Sequence, residues 1–285
     1  MTHFRPFTIN IQGRLVCIDK PQVMGIVNIT PDSFYERSRV VHADDITGRV
    51  AAMVADGADM LDIGAYSSRP GASEVSAEEE IARLRHGVRL VREAAPGVPL
   101  SVDTFRASVA RVAVEELGVD IVNDISGGNL DSEMLPEVAR MKVPYILMHM
   151  RGTPATMQSL CQYDEGVTVG VVRELSASVE RARKLGINDI IVDPGFGFSK
   201  TLDQNYRMLH DLSHIVHVFG LPVLVGVSRK SMITRLLDIT PQQALNGTTV
   251  VNTLALAAGA SILRVHDVRA AREAVDIYSH THMCL

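Results

Sequence analysis

Short apolar runs rich in Val, Ile and Leu recur along the chain, and each stops at a polar or charged side chain. The runs at 23–29 (VMGIVNI) and 59–64 (DMLDIG) carry Asn28 and Asp62, and those at 98–103 (VPLSVD) and 119–124 (VDIVND) end at Asp103 and at Asn123 and Asp124. Further on, 143–149 (VPYILMH) ends at His149, 190–193 (IIVD) at Asp193 and 222–228 (PVLVGVS) at Ser228, while 261–266 (SILRVH) carries Arg264 and His266. Brief unbroken apolar runs bounded by Gly and Pro predict strands buried on both faces. The segments between them change to a helical period: Ile46, Val50, Met53 and Val54 share one face, as do Ile81, Leu84, Val88 and Val91, then Val109, Val112 and Ala113. The spacer 164–186 is amphipathic, and Thr240 with Pro241 reads as a cap and first-turn proline opening a helix that runs to Gly259. Glu78, Glu79 and Glu80 after Ser76 mark another helix start, with its dipole complemented.

Strands alternating with helices imply right-handed parallel crossovers. Eight such units in about 250 residues predict an α/β chain folded as a (β/α)8 TIM barrel. An open doubly wound sheet is the runner-up, without a reason to stop at eight. Residues 7–20 (FTINIQGRLVCIDK) alternate on either side of Gln12 and Gly13 and predict an N-terminal β-hairpin, placed over the amino-terminal mouth. No linker or low-complexity stretch interrupts the pattern, so one domain is expected over 1–285.

Composition narrows the function. A net charge of −5 over 285 residues argues against a phosphate-backbone partner. Three scattered cysteines, Cys17, Cys161 and Cys284, have neither metal spacing nor an even count, which suits a reducing cytoplasm. No apolar run reaches the ~18 residues of a membrane span, and the first residues lack a signal-peptide core.

In a barrel the strand ends converge on one face, so Asn28, Asp62, Asp103, Asn123, Asp124, His149, Asp193, Ser228, Arg264 and His266 become neighbours. Any one of them could instead cap a helix or hold a loop; ten together point to a site. Asp193 is followed by the Gly-rich turn PGFGF, where backbone can approach a ligand closely. Asp103, Asp193 and Asn123 seek donors, and a carboxylate pairs bidentately with a flat edge of two N–H groups. Arg229 and Lys230 in GVSRKS, RVH at the eighth strand, and Ser67, Ser68 and Arg69 before Pro70 suit an anion. One ligand with an amino-substituted ring and a phosphate tail fits both sets. His210, His214 and His217 sit mid-helix, away from strand ends, and read as packing and solvent-facing residues rather than a zinc site.

The blocks MGIVNITPDSF, DIGAYSSRPGA, SVDTFRASV, DIVNDISGG, LMHMRGTP, VDPGFGFSKT, VGVSRKSMI and LRVHDV cover all eight strand ends in order from about Met24 to Val268. With them the chain resembles the dihydropteroate synthase family. The resemblance implies an enzyme, a transferase of folate biosynthesis. It joins 6-hydroxymethyl-7,8-dihydropterin diphosphate to 4-aminobenzoate, releasing pyrophosphate by a dissociative displacement at the pterin methylene, with Mg2+ assisting. Carried over by position, Asp103, Asn123, Asp193 and Lys230 hold the pterin ring. Asn28, Ser68, Arg69, Arg264 and His266 hold the diphosphate, Asn28 also through Mg2+. Phe34, Pro70, Phe198, Lys230 and Ser231 line the aminobenzoate pocket. Catalytic duty falls on Arg69, Asp103, Lys230, Arg264 and His266. A cytoplasmic homodimer is implied, with the apolar stretch 250–258 as candidate face; neither nucleic acid nor membrane is an expected partner. The roles of Asp62 and Asp124 are left open, support of the loops among them.

Two departures stand out. The family's first loop commonly continues from PDSF into Ser-Asp-Gly-Gly, whereas this chain has Tyr35, Glu36, Arg37, Ser38 and Arg39. In the second loop the usual Ser-Thr-Arg-Pro is Ser67, Ser68, Arg69 and Pro70, which keeps the hydroxyl. The competing readings are a pterin-dependent methyltransferase, which has little need of Arg69, Lys230 and the RVH group, and a non-catalytic pterin-binding barrel.

Overall fold

Gln12 and Gly13 both adopt positive φ, 50° and 77°, the backbone of a tight hairpin turn whose twist matches the strands it joins. The turn pairs β1 (Phe7–Ile11) with β2 (Arg14–Ile18) antiparallel, as the alternation predicts. The computed structural model describes residues 4–29, 39–66 and 75–283.

After the hairpin come β3 (Gln22–Asn28), α1 (Arg39–Ala55), β4 (Met60–Gly64), α2 (Ala77–Ala94), β5 (Leu100–Asp103) and α3 (Ala107–Glu115). The alternation continues through β6 (Ile121–Asp124), α4 (Met134–Met141), β7 (Tyr145–Met148), α5 (Val167–Lys184) and β8 (Ile190–Asp193). Two helices, α6 (Leu202–His210) and α7 (Leu212–Phe219), lead to β9 (Leu224–Val225), and α8 (Ser231–Leu237) and α9 (Leu245–Ala257) lead to β10 (Ile262–Val265) and α10 (Val268–Met283). Hydrogen bonds order the strands β8-β7-β6-β5-β4-β3-β10-β9, all parallel, and a parallel bridge between Val192 and Val223 joins the two ends. This is the (β/α)8 barrel, not the open sheet.

Three local expectations change. The strand expected over 222–228 shrinks to Leu224–Val225, preceded by the single bridge at Val223. Pro222 has no N–H to donate, Val223 N donates to Ser261 Oγ at 3.2 Å, and Lys230 N returns to Val227 O at 3.1 Å, so the chain already turns there. Thr240 and Pro241 open a short 3-10 turn, and α9 starts only at Leu245. The helix carrying the three histidines breaks at Asp211, which accepts from Thr168 Oγ1 and Arg207 Nε, both at 2.7 Å. His210 therefore ends α6 while His214 and His217 lie on α7, and no group of three metal-ligating side chains forms among the described residues.

Two apolar layers hold the barrel. Outward-facing strand residues such as Leu61, Ile63, Val102, Val122 and Val192 pack against the predicted helix faces, with Val50, Leu84, Val88 and Val109 fully or nearly buried. Inside, Met24, Met60, Ile121, Ile146, Ile191, Leu224 and Ile262 form a separate cluster, and Phe7 and Ile11 of the hairpin close it from below. Asn10 N donates to Asp189 Oδ2 at 2.8 Å and Gln12 Nε2 to Asp120 Oδ1 at 2.7 Å, which seats the hairpin on the amino-terminal mouth.

Candidate active site

Strand side chains alternate faces, so the residue two positions beyond each interior apolar one also points inward. On β3, β7 and β9 those residues are Ile26, Met148 and Gly226, and on the other strands they are polar. Met60 is followed by Asp62, Ile121 by Asn123, Ile191 by Asp193 and Ile262 by Arg264, and on β5 the buried Ser101 is followed by Asp103. Within one pleat the interior turns from hydrocarbon to a layer of carboxylates, an amide and a guanidinium. Strand register lines up Asn28, Gly64, Asp103 and Asn123 across four neighbouring strands.

Arg264 reaches across this layer. Its Nε donates to Asp62 Oδ2 at 2.6 Å and its Nη2 to Asp103 Oδ2 at 2.7 Å. Burial opposes the guanidinium charge, but Asp62 and Asp103 outweigh it and raise its pKa. Burial pushes Asp103 up to about 7 although Arg264 pulls the other way. Asp193 is likewise raised by burial, opposed by Lys230 and by the Gly195 N–H at 2.7 Å. The layer is thus charged but poorly solvated, the condition under which a polar ligand edge is gripped hardest.

Gly195 lies at φ 71°, and a Cβ there would come within 2.0 Å of His149 O, so only glycine lets the chain turn back over β7. The turn carries Phe196 and Phe198. Lys230 Nζ donates to Phe196 O at 2.6 Å and stands 4.7 Å from the centre of the Phe198 ring. Burial lowers the Lys230 ammonium to about 8, opposed by Asp193. Gly226 leaves the space between Lys230 and Arg264: a Cβ there would sit 3.9 Å from Lys230 Nζ and 3.8 Å from Arg264 Cβ.

The structure therefore brings Asp103, Asn123, Asp193, Phe198, Lys230 and Arg264 to one mouth. Asn28 stands at its rim, exposed, with its Oδ1 and the Asp103 carboxylate both flanking Gly64. His266 lies at the end of β10, its Nδ1 3.1 Å from Ser228 Oγ. Ser231 is exposed at the first position of α8. Phe34, Ser68, Arg69 and Pro70, with the atypical stretch 35–38, lie outside the described residues. Arg229 corrects the expectation of an anion-binding pair. Its Nε and Nη2 engage Asp267 at 2.8 and 2.7 Å and its Nη1 reaches Pro241 O at 2.8 Å, so it fastens the loop after β9 to the one after β10. Asp124, adjacent to Asn123, faces the opposite way and supports a loop: Tyr145 Oη donates to it at 2.6 Å, and Ser126 N and Gly128 N at 2.7 Å.

Comparison with known proteins agrees with this geometry. Residues 24–266 match the family described as pterin binding enzyme. The chain belongs to that family. A dihydropteroate synthase of Synechocystis sp. is 44% identical over 252 residues, 87% of this chain and 86% of that protein. Among solved structures, dihydropteroate synthase of Yersinia pestis, in a sulfonamide drug complex, superposes with a TM-score of 0.88 at 38% identity. That match covers 97% of this chain and 100% of that one. The Xanthomonas albilineans dihydropteroate synthase solved with 4-aminobenzoic acid gives a TM-score of 0.87 at 37% identity, covering 98% and 99%.

In this member of the pterin binding enzyme family, one part of the mouth escaped the sequence reading. Lys200 is buried, and its ammonium donates to Gly195 O at 2.9 Å, Phe198 O at 2.8 Å and His149 Nδ1 at 3.0 Å. That bond leaves the His149 proton on Nε2, which donates to Glu174 Oε2 at 3.1 Å; Arg151 holds the same carboxylate. Burial, reinforced by Lys200, lowers His149 to about 4. Lys200 falls to about 7 through burial, opposed by Asp193. The ammonium moulds the turn that presents Phe198. Its only sequence signal was a lysine directly after a Gly-rich turn.

Proposed function

We propose that the chain is a dihydropteroate synthase, condensing 6-hydroxymethyl-7,8-dihydropterin diphosphate with 4-aminobenzoate to 7,8-dihydropteroate and pyrophosphate. The observation that carries this reading is the polar layer itself: acceptors Asp103, Asn123 and Asp193 facing the same mouth as the cations Lys230 and Arg264. The pterin presents an amino group beside a ring N–H, an edge that two carboxylates and an amide can hold. Lys230 closes the far side of the ring while its ammonium stands by the Phe198 ring, where the aminobenzoate ring would lie with Phe34, Pro70 and Ser231. The sulfonamide drug and the 4-aminobenzoic acid with which the two relatives were solved support that pocket.

Chemistry follows from charge. As the methylene–oxygen bond breaks, positive charge spreads into the electron-rich ring and negative charge grows on the leaving diphosphate. Arg264 has Nη1 free of hydrogen bonds to the described residues, and with His266, Arg69 and Ser68 it would stabilise that growing charge. Asp103 and Asp193 favour the cationic ring by field. The arylamine is a competent nucleophile once placed, so proximity supplies much of the remainder, and no covalent enzyme intermediate forms. The chemistry of the rim fits a hard cation: Asn28 Oδ1 is an exposed amide oxygen that would hold Mg2+ together with the diphosphate. Bound there, Mg2+ would neutralise charge on the diphosphate.

Two wider readings belong with this one. Val250 and Leu254 on α9 and Leu236 and Leu237 on α8 are each at least half exposed, an apolar face that supports a homodimer. Free Cys17 and Cys161 suit a cytoplasmic enzyme. The test follows pyrophosphate and dihydropteroate together on mixing the protein with both substrates and Mg2+, with Asp193→Asn in parallel. Stoichiometric products, lost in the variant, support the reading. Pterin binding without product, or a trapped protein–pterin adduct, counts against it.

A further inference from the structure

Asp62 is one of the ten strand-end residues, and its role was left open. It lies inside the barrel, fully buried, one pleat above Met60. One of its oxygens, Oδ2, accepts both Arg264 Nε at 2.6 Å and Asn123 Nδ2 at 3.0 Å. The other, Oδ1, is buried without a hydrogen-bond partner among the described residues, and the side chain has no exposed surface. An asparagine amide has one donor end and one acceptor end. An oxygen already accepting from a guanidinium can take only the donor end of Asn123. Asn123 Oδ1 is thereby turned away from Asp62, and it accepts no hydrogen bond from the described residues.

We infer that Asp62 is a positioning residue that acts through Asn123 and Arg264: it fixes which end of the amide meets the pterin and holds the guanidinium in register with it. This rests on the proposed placement of the ring at Asn123 and the diphosphate at Arg264. One shared oxygen joins the part of the site that holds the ring to the part that holds the leaving group. Asn at position 62 could donate as well as accept, so the Asn123 amide would be free to turn over and present its donor end.

The test is a double-mutant cycle on the affinity for 6-hydroxymethylpterin, a probe without diphosphate, measured by fluorescence with wild type, Asp62→Asn, Asn123→Ala and the double variant. Asp62→Asn should weaken binding about tenfold, the worth of one hydrogen bond to a charged group. In the Asn123→Ala background the same change should cost less than about twofold, because a residue acting through Asn123 has nothing left to position. Equal losses in both backgrounds would show a general structural role and overturn the inference. Asp62→Glu keeps a carboxylate for Arg264 but displaces the shared oxygen. It should lose affinity in the same Asn123-dependent way, which keeps the test open if Asp62→Asn folds poorly. An Asn123→Ala variant that binds the pterin as wild type does would instead remove the ring assignment beneath the inference.

Discussion

The two mouths of the barrel are both lined with aspartates, and they use them in opposite ways. At the amino-terminal mouth Asp59 accepts from Val23 N at 2.7 Å and from Arg272, and Asp189 accepts from Asn10 N at 2.8 Å. Asp120 accepts from Leu100 N at 2.8 Å, Arg92 at 2.9 Å and Gln12 at 2.7 Å. Each of these carboxylates is committed to strand amides, arginines or the hairpin. At the carboxyl-terminal mouth, among the described residues, Asp103 has Arg264, Asp193 has one backbone N–H, and burial raises the pKa of both. Committed carboxylates tie strands and hairpin together; under-satisfied ones retain capacity for a ligand.

Removing a cation from the upper mouth should give the largest effect. Lys230→Met is expected to lower kcat/KM about a hundredfold, the scale of a buried charge-assisted contact, with little change in melting temperature. The pH profile sharpens the assignment. Burial lowers Lys230 to about 8, so its ammonium is lost as pH rises through that value, whereas Asp103, raised to about 7, loses its charge as pH falls below it. Wild-type kcat/KM, which reports the free enzyme, should fall on both sides, and Lys230→Met should lack the alkaline fall. The same alkaline fall in the variant would assign it to another group.

Asp120→Ala breaks the comparison from below. It takes the carboxylate from the Arg92 guanidinium, which keeps Val98 O and Gly118 O, and leaves the buried Leu100 N–H without its partner, so chemical denaturation should show a loss of about 3 kcal/mol, while kcat/KM of the folded fraction stays at the wild-type value. A comparable loss in kcat/KM would mean that the lower mouth is coupled to the site. The smallest effect is expected from Gln12→Ala, which removes one hydrogen bond between hairpin and barrel, worth about 1 kcal/mol, again with unchanged kinetics.

Much of this contrast was legible beforehand. Unbroken apolar runs that each stop at a polar side chain pointed to Asp103, Asn123, Asp193 and Arg264 because barrel strand ends converge on one face. Arg229 was misread because its partner, Asp267, lies 38 positions away, and composition cannot distinguish an arginine facing a ligand from one bonded to a neighbouring loop. Asn123 and Asp124 are adjacent, and strand alternation alone sends one to the ligand layer and the other to a loop.

Local hydrophobic period, turn residues and strand order were enough to determine the barrel, the hairpin and the end of the barrel that carries the chemistry, because all three are short-range properties of the chain. The balance of each charge came only with the closed barrel: Arg264 bridges Asp62 and Asp103, Lys200 moulds the Phe198 turn, and β9 shrinks to two residues. Hydrogen bonds and burial are set by what lies across the barrel, and Arg264 and Asp62, 202 positions apart in the chain, meet only once it closes.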